Sequence, residues 1–395
     1  MRIAYCTNVR LPSERAHGHQ VARVCDALAN LGHAVEIIAP RRCDNPVQED
    51  FWTFHGVDRR VGLTYTSSFD GIACRLTPGP LGLALTTWSY AHYARHKILE
   101  GNFDLLYTRT PEILPMLLSS KIPVILELHK LPRFRRSTFV RRCNRCKLIS
   151  CLTSPMRNEL VSWGVDSERV IVEPDAVDLA RFAILEGEAL NDPNSEAPIR
   201  LSAPGSAGNR TRATIGYAGQ LESMGLSKGI PELLDAFTIF RTQNPAARLM
   251  LAGPRTPNDA LMRRIETSPG VTYRGLLSQV QIPAFLSACR VLAYPAPASR
   301  HPYYIRDTSP LKLFEYMAAK KPIVTADLPP IRDILGETTA IFCRPGDPAD
   351  LARAIAEVLD HPEEASKRAA RAWERVQEHT WEKRMRRILG AAGYR

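Results

Sequence analysis

Apolar residues in the first forty positions follow two periods in succession. Ile3–Cys6 is a short continuous apolar run, the pattern of a buried strand, and a polar loop over Asn8–His19 follows it. Val21, Val24, Cys25, Leu28 and Leu31 then recur at the spacing of one helix face. Gly32 stands where a helix C-terminal glycine belongs, and Val35–Ala39 reads as the next strand. Strand, helix and strand in that order predict a βαβ unit, hence parallel strands with helices on both faces. Further buried strands are expected at Leu105–Thr108, Pro123–Glu127 and Leu148–Thr153, so the first half reads as a doubly wound α/β domain.

The pattern lapses between Glu186 and Arg212, where turn formers such as Asn191-Asp192-Pro193-Asn194 and Pro204-Gly205-Ser206 replace periodicity. Thr214–Gly219 opens a second α/β series. It continues with helix Pro231–Phe240, strand Arg248–Ala252, helix Gln281–Cys289, strand Val291–Tyr294, helix Leu311–Ala319 and strand Pro322–Thr325. Asp350–Leu359 and Ala365–Leu389 are expected to be helical and highly charged. The expected organisation is a first domain over 1–185, a linker or exposed loop over 186–213, a second domain over 214–375 and a terminal segment over 376–395.

Composition supports two soluble α/β domains. The chain has 395 residues, 45% hydrophobic and 24% charged, which suits two cores and disfavours disorder. No run of ~18 apolar residues exists, so no membrane-spanning helix is expected. The N-terminus begins as a strand without a secretory pattern, so a cytoplasmic location is expected, with peripheral attachment to the inner membrane face as its refinement. Nine cysteines are scattered without a framework. Cys143-Asn144-Arg145-Cys146 offers two soft ligands of the four a structural zinc needs, and buried thiols are the simpler reading.

The densest chemistry lies at Asp307-Thr308-Ser309-Pro310-Leu311-Lys312-Leu313-Phe314-Glu315. Ser309 is placed as an N-cap with Pro310 at the first helical position. Amides at such a helix start, with the positive end of the dipole, attract a phosphate or diphosphate. Glu315 can then accept bonds from vicinal hydroxyls, and Asp307 from a polyol beyond the phosphates. The plainer reading is a Ser-Pro helix cap with a surface acid.

This element resembles the E-x7-E motif of glycosyltransferase family 4, retaining GT-B enzymes that use nucleotide sugars. Gly216–Leu221 with Lys228-Gly229 resembles that family's G-R-L…K-G loop. Leu249–Gly253 resembles its L-x-I-x-G strand, and Gly270–Gly275 its V-x-F-x-G loop. Glu173–Asp178 is similar to its P-N-G-V-D turn, and Leu126–His129 to its E-x-H segment. His17-Gly18-His19 falls in its first glycine loop. The resemblance implies two Rossmann-like domains facing across a cleft, acceptor-binding and donor-binding, with a C-terminal helix crossing back to the first.

By the same resemblance, Glu315 would bind the ribose hydroxyls and Asp307 the donor sugar. Amides of Leu311 and Lys312 and the Lys228 ammonium would neutralise the diphosphate, with Gly18, His19, Gly219, Gln220 and Ser309 beside it. The base would lie near Tyr273-Arg274, and His129 near the transferred sugar, unless His129 is a core histidine. Catalytic roles thus fall on His129, Asp307 and Lys228. Three positions depart from the family pattern. Gln220 replaces the loop arginine, with Arg255 or Lys312 as substitutes; Asp307 replaces a glutamate; and Asp175-Ala176 replaces Asn-Gly. No D-x-D motif suggests a metal, so no cofactor is expected. Asp307 as a covalent nucleophile is a minor alternative.

The net charge is +11, but it divides into +5 over residues 1–180 (23 cations, 18 acids) and +6 over the rest. A global nucleic-acid signal is therefore absent, as are nucleic-acid motifs. One tract stands out: Lys130–Lys147 has eight cations and no acid, interleaved with Leu131, Phe134, Phe139 and Val140. An anionic acceptor, glycan or lipid-linked, or an anionic membrane surface is its expected partner, against a merely solvated face. Rival functions are a sugar-nucleotide epimerase or hydrolase, and a non-catalytic nucleotide-sugar-binding protein.

Overall fold

The computed structural model describes residues 1–13, 16–43, 45–70, 80–183, 213–223 and 225–394. The linker expected over 186–213 lies outside the described residues except for Ala213. Two compact units are formed, Met1–Pro174 with Trp381–Arg395, and Asp175–Thr380.

The first unit is built on β1 (Arg2–Cys6), β2 (Ala34–Pro40), β3 (Gly62–Thr66), β4 (Leu105–Thr108), β5 (Val124–Leu128), β6 (Leu148–Cys151) and β7 (Val170–Val172). All pairings are parallel, in the order β3-β2-β1-β4-β5-β6-β7. The strand order reverses between β1 and β4, where open α/β sheets bind their ligands. Helices α1 (Ala16–Asn30), α2 (Phe51–His55), α3 (Pro80–Glu100), α4 (Leu114–Leu117), α5 (Arg136–Cys143) and α6 (Ser154–Ser162) connect the strands. Ala4, Cys6, Leu106, Leu126, Ile149 and Cys151 face one core, packed against Tyr90, Phe139 and Met156 of the helices. Strand continuity without alternation reflects burial on both faces.

The second unit begins with the short helix α7 (Ala180–Ala183), and its sheet comprises β8 (Thr214–Ala218), β11 (Arg248–Ala252), β12 (Val271–Tyr273), β13 (Val291–Tyr294), β14 (Ile323–Ala326) and β15 (Ile341–Cys343). The order β12-β11-β8-β13-β14-β15 repeats the first sheet's pattern, again all parallel. A hairpin of β9 (Glu222–Ser223) and β10 (Leu226–Ser227) follows β8. Ile215, Tyr217, Leu249 and Leu251 face one core, under α8 (Ile230–Gln243), α9 (Asp259–Thr267) and α13 (Pro348–Asp360). Ala218, Leu292 and Tyr294 face the other, under α10 (Gln281–Ser287), α11 (Leu311–Ala318), α12 (Pro329–Arg332) and α14 (Pro362–Val376).

The helix expected over Ala365–Leu389 is broken. After α14, backbone groups of residues 377–380 turn to Val177: its amide donates to His379 O at 2.9 Å, and it bridges Thr380. A separate helix, α15 (Trp381–Ala391), then joins the first unit and packs on α1, where Asn30 Nδ2 donates to Glu382 Oε1 at 3.4 Å. The units divide after Pro174 rather than at 185. The segment that follows is fastened to the second unit, with the Asp175 amide donating to Ser309 Oγ at 2.9 Å and Phe182 in that unit's core.

Candidate active site

In the second unit, two strand ends meet through glycines. Gly219 follows β8 with φ of 136°, and Gly253 follows β11 with φ of 156°. A Cβ on Gly253 would lie 2.0 Å from Gly219 O, and one on Gly219 would lie 2.6 Å from Lys312 Nζ. Only hydrogens fit, so the glycines let the Lys312 side chain reach the loop. Lys312 Nζ donates to Tyr217 Oη at 2.5 Å and lies 4.0 Å from that ring's centroid, and the Tyr217 hydroxyl donates to Gln220 O at 2.5 Å. Lys228 Nζ stands 3.8 Å from the centroid of Tyr303. Both ammonium groups are thus held by aromatic faces rather than by carboxylates. Burial pushes Lys312 down to about 7, with Lys228 adding to the shift and Glu315 opposing it.

Helix α11 begins at Leu311 with Pro310 as its N-cap, one position later than the sequence suggests. Ser309 is not a cap: its hydroxyl accepts the Asp175 amide and its side chain is buried. Pro310 O accepts the Leu313 amide at 2.9 Å, while the Leu311 and Lys312 amides, in the first turn, have no carbonyl within the helix to bond. Glu315 Oε1 lies 3.6 Å from Arg181 Nη1, both side chains largely enclosed. Burial raises the Glu315 carboxyl, and Arg181 and Lys312 only partly offset that. Asp307 is gripped by its neighbour Arg306, Nε at 2.6 Å and Nη2 at 3.0 Å on its two oxygens. Tyr273 Oη donates to Gly253 O at 2.8 Å and the Arg274 amide to Leu251 O at 2.8 Å, which fixes that loop beside the glycine pair. Of the two cations considered for the missing loop arginine, Arg255 is exposed and paired to Glu266 at 2.7 Å. Lys312 is the one at the glycine loop.

In the first unit, Gly18 gives its missing Cβ volume to Ser13, whose Cβ would be 2.6 Å away, and His19 is half-buried on α1. Four side chains converge on Glu127, which is fully buried at the end of β5. Gln20 Nε2 and His129 Nε2 meet Oε1, the latter at 2.6 Å; Tyr107 Oη and Arg384 Nη1 meet Oε2, the latter at 3.1 Å. Arg109 donates to Gln20 Oε1. Arg384, itself fully buried, also donates to Pro174 O at 2.7 Å and Glu173 O at 3.2 Å, and Arg387 grips the Glu173 carboxylate at 2.9 Å. Burial would raise the Glu127 carboxyl, but Arg384 and His129 outweigh it and hold it well below the usual range. Burial, then Arg109, pushes His129 down to about 4 against the pull of Glu127.

His129 is thus neither solvent-free core nor a loose ligand: its side chain is 20% exposed and tied at one nitrogen. Sequence reading missed Gln20, Tyr107, Arg109, Arg181, Arg306 and Arg384. For Arg384 a signal existed, since Trp381, Met385, Ile388 and Leu389 mark one apolar face and Arg384 falls on it.

Residues 130–147 form the end of β5's loop and α5. Arg136 stacks on Trp163 at 4.5 Å, and Arg135, Arg136, Arg141 and Arg142 make no ion pair to a carboxylate among the described residues. Phe134 is 82% exposed. A groove of about 770 Å³ beside them is lined by Leu83, Trp88, Arg95, Ile113, Met116 and Arg135. Cys143 and Cys146 are buried in the core, and burial pushes Cys146 up to about 12, the state of inert thiols. Among the described residues no group of three or more His, Cys, Asp or Glu side chains could hold a metal ion, and no helix is long and apolar enough to cross a membrane.

Two parallel α/β sheets with the same strand order, each with a reversal point, define a two-domain GT-B fold. Comparisons agree. The model for Glycosyltransferase Family 4 matches residues 18–181, and that for Glycosyl transferases group 1 matches residues 212–361. The chain belongs to the family 4 group of GT-B glycosyltransferases. A glycogen synthase of Mycobacterium tuberculosis is 29% identical over 168 residues, and the match spans 42% of this chain and only 38% of that relative. The fold is shared with Anabaena HepE, solved in complex with UDP and glucose, at a TM-score of 0.69 and 15% identity over 100% of this chain and 99% of that one. It is shared too with sucrose-phosphate synthase from Thermosynechococcus elongatus, at a TM-score of 0.70 and 16% identity over 98% and 97%.

Proposed function

We propose that the chain transfers a sugar, with retention, from a nucleoside diphosphate sugar to an acceptor hydroxyl. The observation that carries this reading is the pair of ammonium groups, Lys312 and Lys228, held on tyrosine rings at a helix N-terminus instead of on carboxylates. Glycosyl transfer must stabilise a departing diphosphate, and two cations with the Leu311 and Lys312 amides do so. Lys312 takes the place of the arginine that Gln220 lacks. Glu315 accepts the ribose hydroxyls, and Asp307, its carboxylate oriented by Arg306, accepts hydroxyls of the donor sugar. The base lies at Tyr273-Arg274. In the first unit, Gly18 and His19, which lie in the first turn of α1 rather than in the loop expected over Asn8–His19, serve the diphosphate, and His129 serves the transferred sugar. Retention follows from attack on the face the diphosphate leaves: the acceptor oxygen bonds to the anomeric carbon, the sugar–phosphate bond breaks, and a leaving phosphate oxygen takes the acceptor's proton.

These cations do the work of a divalent ion, so donor turnover is expected to survive a chelator. A shift in melting temperature across UDP, GDP, ADP and dTDP sugars identifies the donor, because ligand binding stabilises the native state. Product mass then identifies the acceptor. Glu315→Ala with Asp307→Ala should abolish donor binding; unchanged binding sinks the site assignment. Sugar release without an acceptor would instead support a hydrolase.

The acid-free tract 130–147, with exposed Phe134 and the adjoining apolar groove, supports an acceptor or anchoring surface bearing anionic lipid. Attachment to a membrane face through these residues is the localisation the reading implies. Co-sedimentation with vesicles containing about one-third anionic lipid should be lost when Arg135, Arg136, Arg141 and Arg142 become Ser. Unchanged partitioning sinks the surface.

A further inference from the structure

We infer that Arg384, carried by the C-terminal helix α15, is a positioning residue that sets the tautomer and orientation of His129 through Glu127. The inference rests on the reading of His129 as the residue that meets the reacting sugar, and it concerns how that residue is made ready.

Glu127 has its acceptor positions filled in a fixed order. Oε1 takes Gln20 and His129; Oε2 takes Tyr107 and Arg384. All are donors if the carboxylate is ionised, and ionisation in a fully buried site requires a cation. Arg384 is that cation. Its guanidinium reaches Glu127 with one nitrogen, and its other nitrogens are spent on Pro174 O and Glu173 O, so it cannot swing away. An anionic Glu127 in turn requires a proton on His129 Nε2. In the neutral imidazole this leaves Nδ1 as a bare acceptor, free to take a bond from a hydroxyl hydrogen.

The charged groups acting on His129 are Glu127 on β5, Arg109 beyond β4 and Arg384 on α15, and the titratable groups facing Glu127 from the other elements are Tyr5 on β1, Tyr107 on β4 and Cys25 on α1. Arg109 and Arg384 both disfavour a second proton on the ring, and Glu127 favours it. Without Arg384, that balance tips. Either the imidazole becomes doubly protonated against the carboxylate, or Glu127 takes the proton and donates it to Nε2, which moves the ring hydrogen to Nδ1. Both outcomes remove the Nδ1 acceptor.

The test uses the full chain with nitrogen-15 histidine. In the parent, His129 should show the Nε2–H tautomer at pH 7 and titrate below 5. In Arg384→Met its midpoint should rise by about one pH unit or more, or the pattern should change to Nδ1–H. Arg384→Lys should restore the parent pattern. Since Arg384→Met leaves a buried lone charge, Arg384→Gln, which keeps an amide donor for Glu127 without the cation, is the second variant, and its midpoint or tautomer should change in the same direction. Parent-like tautomer and midpoint in any folded variant lacking Arg384 overturn the proposal. Sugar transfer by His129→Ala at parental rate would sink the role given to His129 while leaving the tautomer result standing, so the two failures separate.

Discussion

Glu127 in the first unit and the two lysines at the glycine loop of the second are balanced in opposite ways. In the first, Glu127 is saturated: two neutral donors, a histidine and a fully buried arginine consume its lone pairs. In the second, Lys312 and Lys228 rest on tyrosine rings, and the first amides of α11 have no acceptor in their helix. A closed network holds a shape, whereas cations parked on aromatic faces hold a place for an anion. The same strand order therefore carries a closed ion network in one unit and two cations held on aromatic rings in the other.

The sharpest way to break this contrast is to remove one cation from each. Arg384→Ala strands a buried carboxylate and should cost about 3–5 kcal/mol in urea unfolding. Lys312→Met removes a cation that burial already disfavours and should leave stability within about 1 kcal/mol of the parent. Equal losses would mean that both networks are structural.

Next in size is the acid dependence of the first unit. Burial pushes both His129 and His55 down to about 4 in the fold, against about 6.5 unfolded. Below about 6.5 the unfolded chain binds protons that the native state refuses, so stability falls as pH drops towards 4 and is full above 6.5. Each histidine contributes roughly 3 kcal/mol to that fall, and His129→Gln should remove its share of the slope. A slope unchanged by that substitution would place His129 outside the buried network.

In the second unit the same two experiments read binding. Lys312→Met should weaken the nucleoside diphosphate chosen by the melting screen by about tenfold to a hundredfold in calorimetry, with the fold intact. Lys312 is pushed down to about 7, and a diphosphate draws the proton back. Affinity for that diphosphate should therefore be level below pH 7 with respect to this group. Above it, affinity should fall by up to about tenfold per unit, until the bound pKa is passed. The Lys312→Met variant should lose that dependence.

The fold was legible because buried parallel strands announce themselves as apolar runs. Val291–Tyr294 and Leu105–Thr108 coincide with their predicted spans. The hairpin after Gly219 was not, since two-residue strands have no period to read. The helix break at 377–380 was hidden because its cause, Val177, is two hundred residues away in sequence. The same holds at the site. Local motifs announced Gly219, Lys312 and Glu315, but the partners that decide their chemistry come from elsewhere. Arg181 reaches Glu315 from α7, and Tyr217 meets Lys312 only because β8 lies beside α11. Ser309 read as a cap because Ser-Pro is a good local start, and tertiary structure spent its hydroxyl on Asp175 instead.

The smallest expected effect tests whether Lys312 stands in for a loop arginine. Gln220 is exposed, and its carbonyl is joined to the lysine through the Tyr217 hydroxyl. An arginine at 220 would thus add a cation at the same end of the glycine loop. In the parent that charge is surplus, and its repulsion of Lys312 lowers the lysine further, so Gln220→Arg should change affinity for the diphosphate by less than about threefold. In the Lys312→Met background the repulsion is gone and the vacancy is real, so the same substitution should recover about tenfold. The difference between the two steps is the coupling energy, about 0.7 kcal/mol or more. Equal steps in both backgrounds would show that the two positions serve the diphosphate independently, and that the glycine pair admits the lysine for another reason.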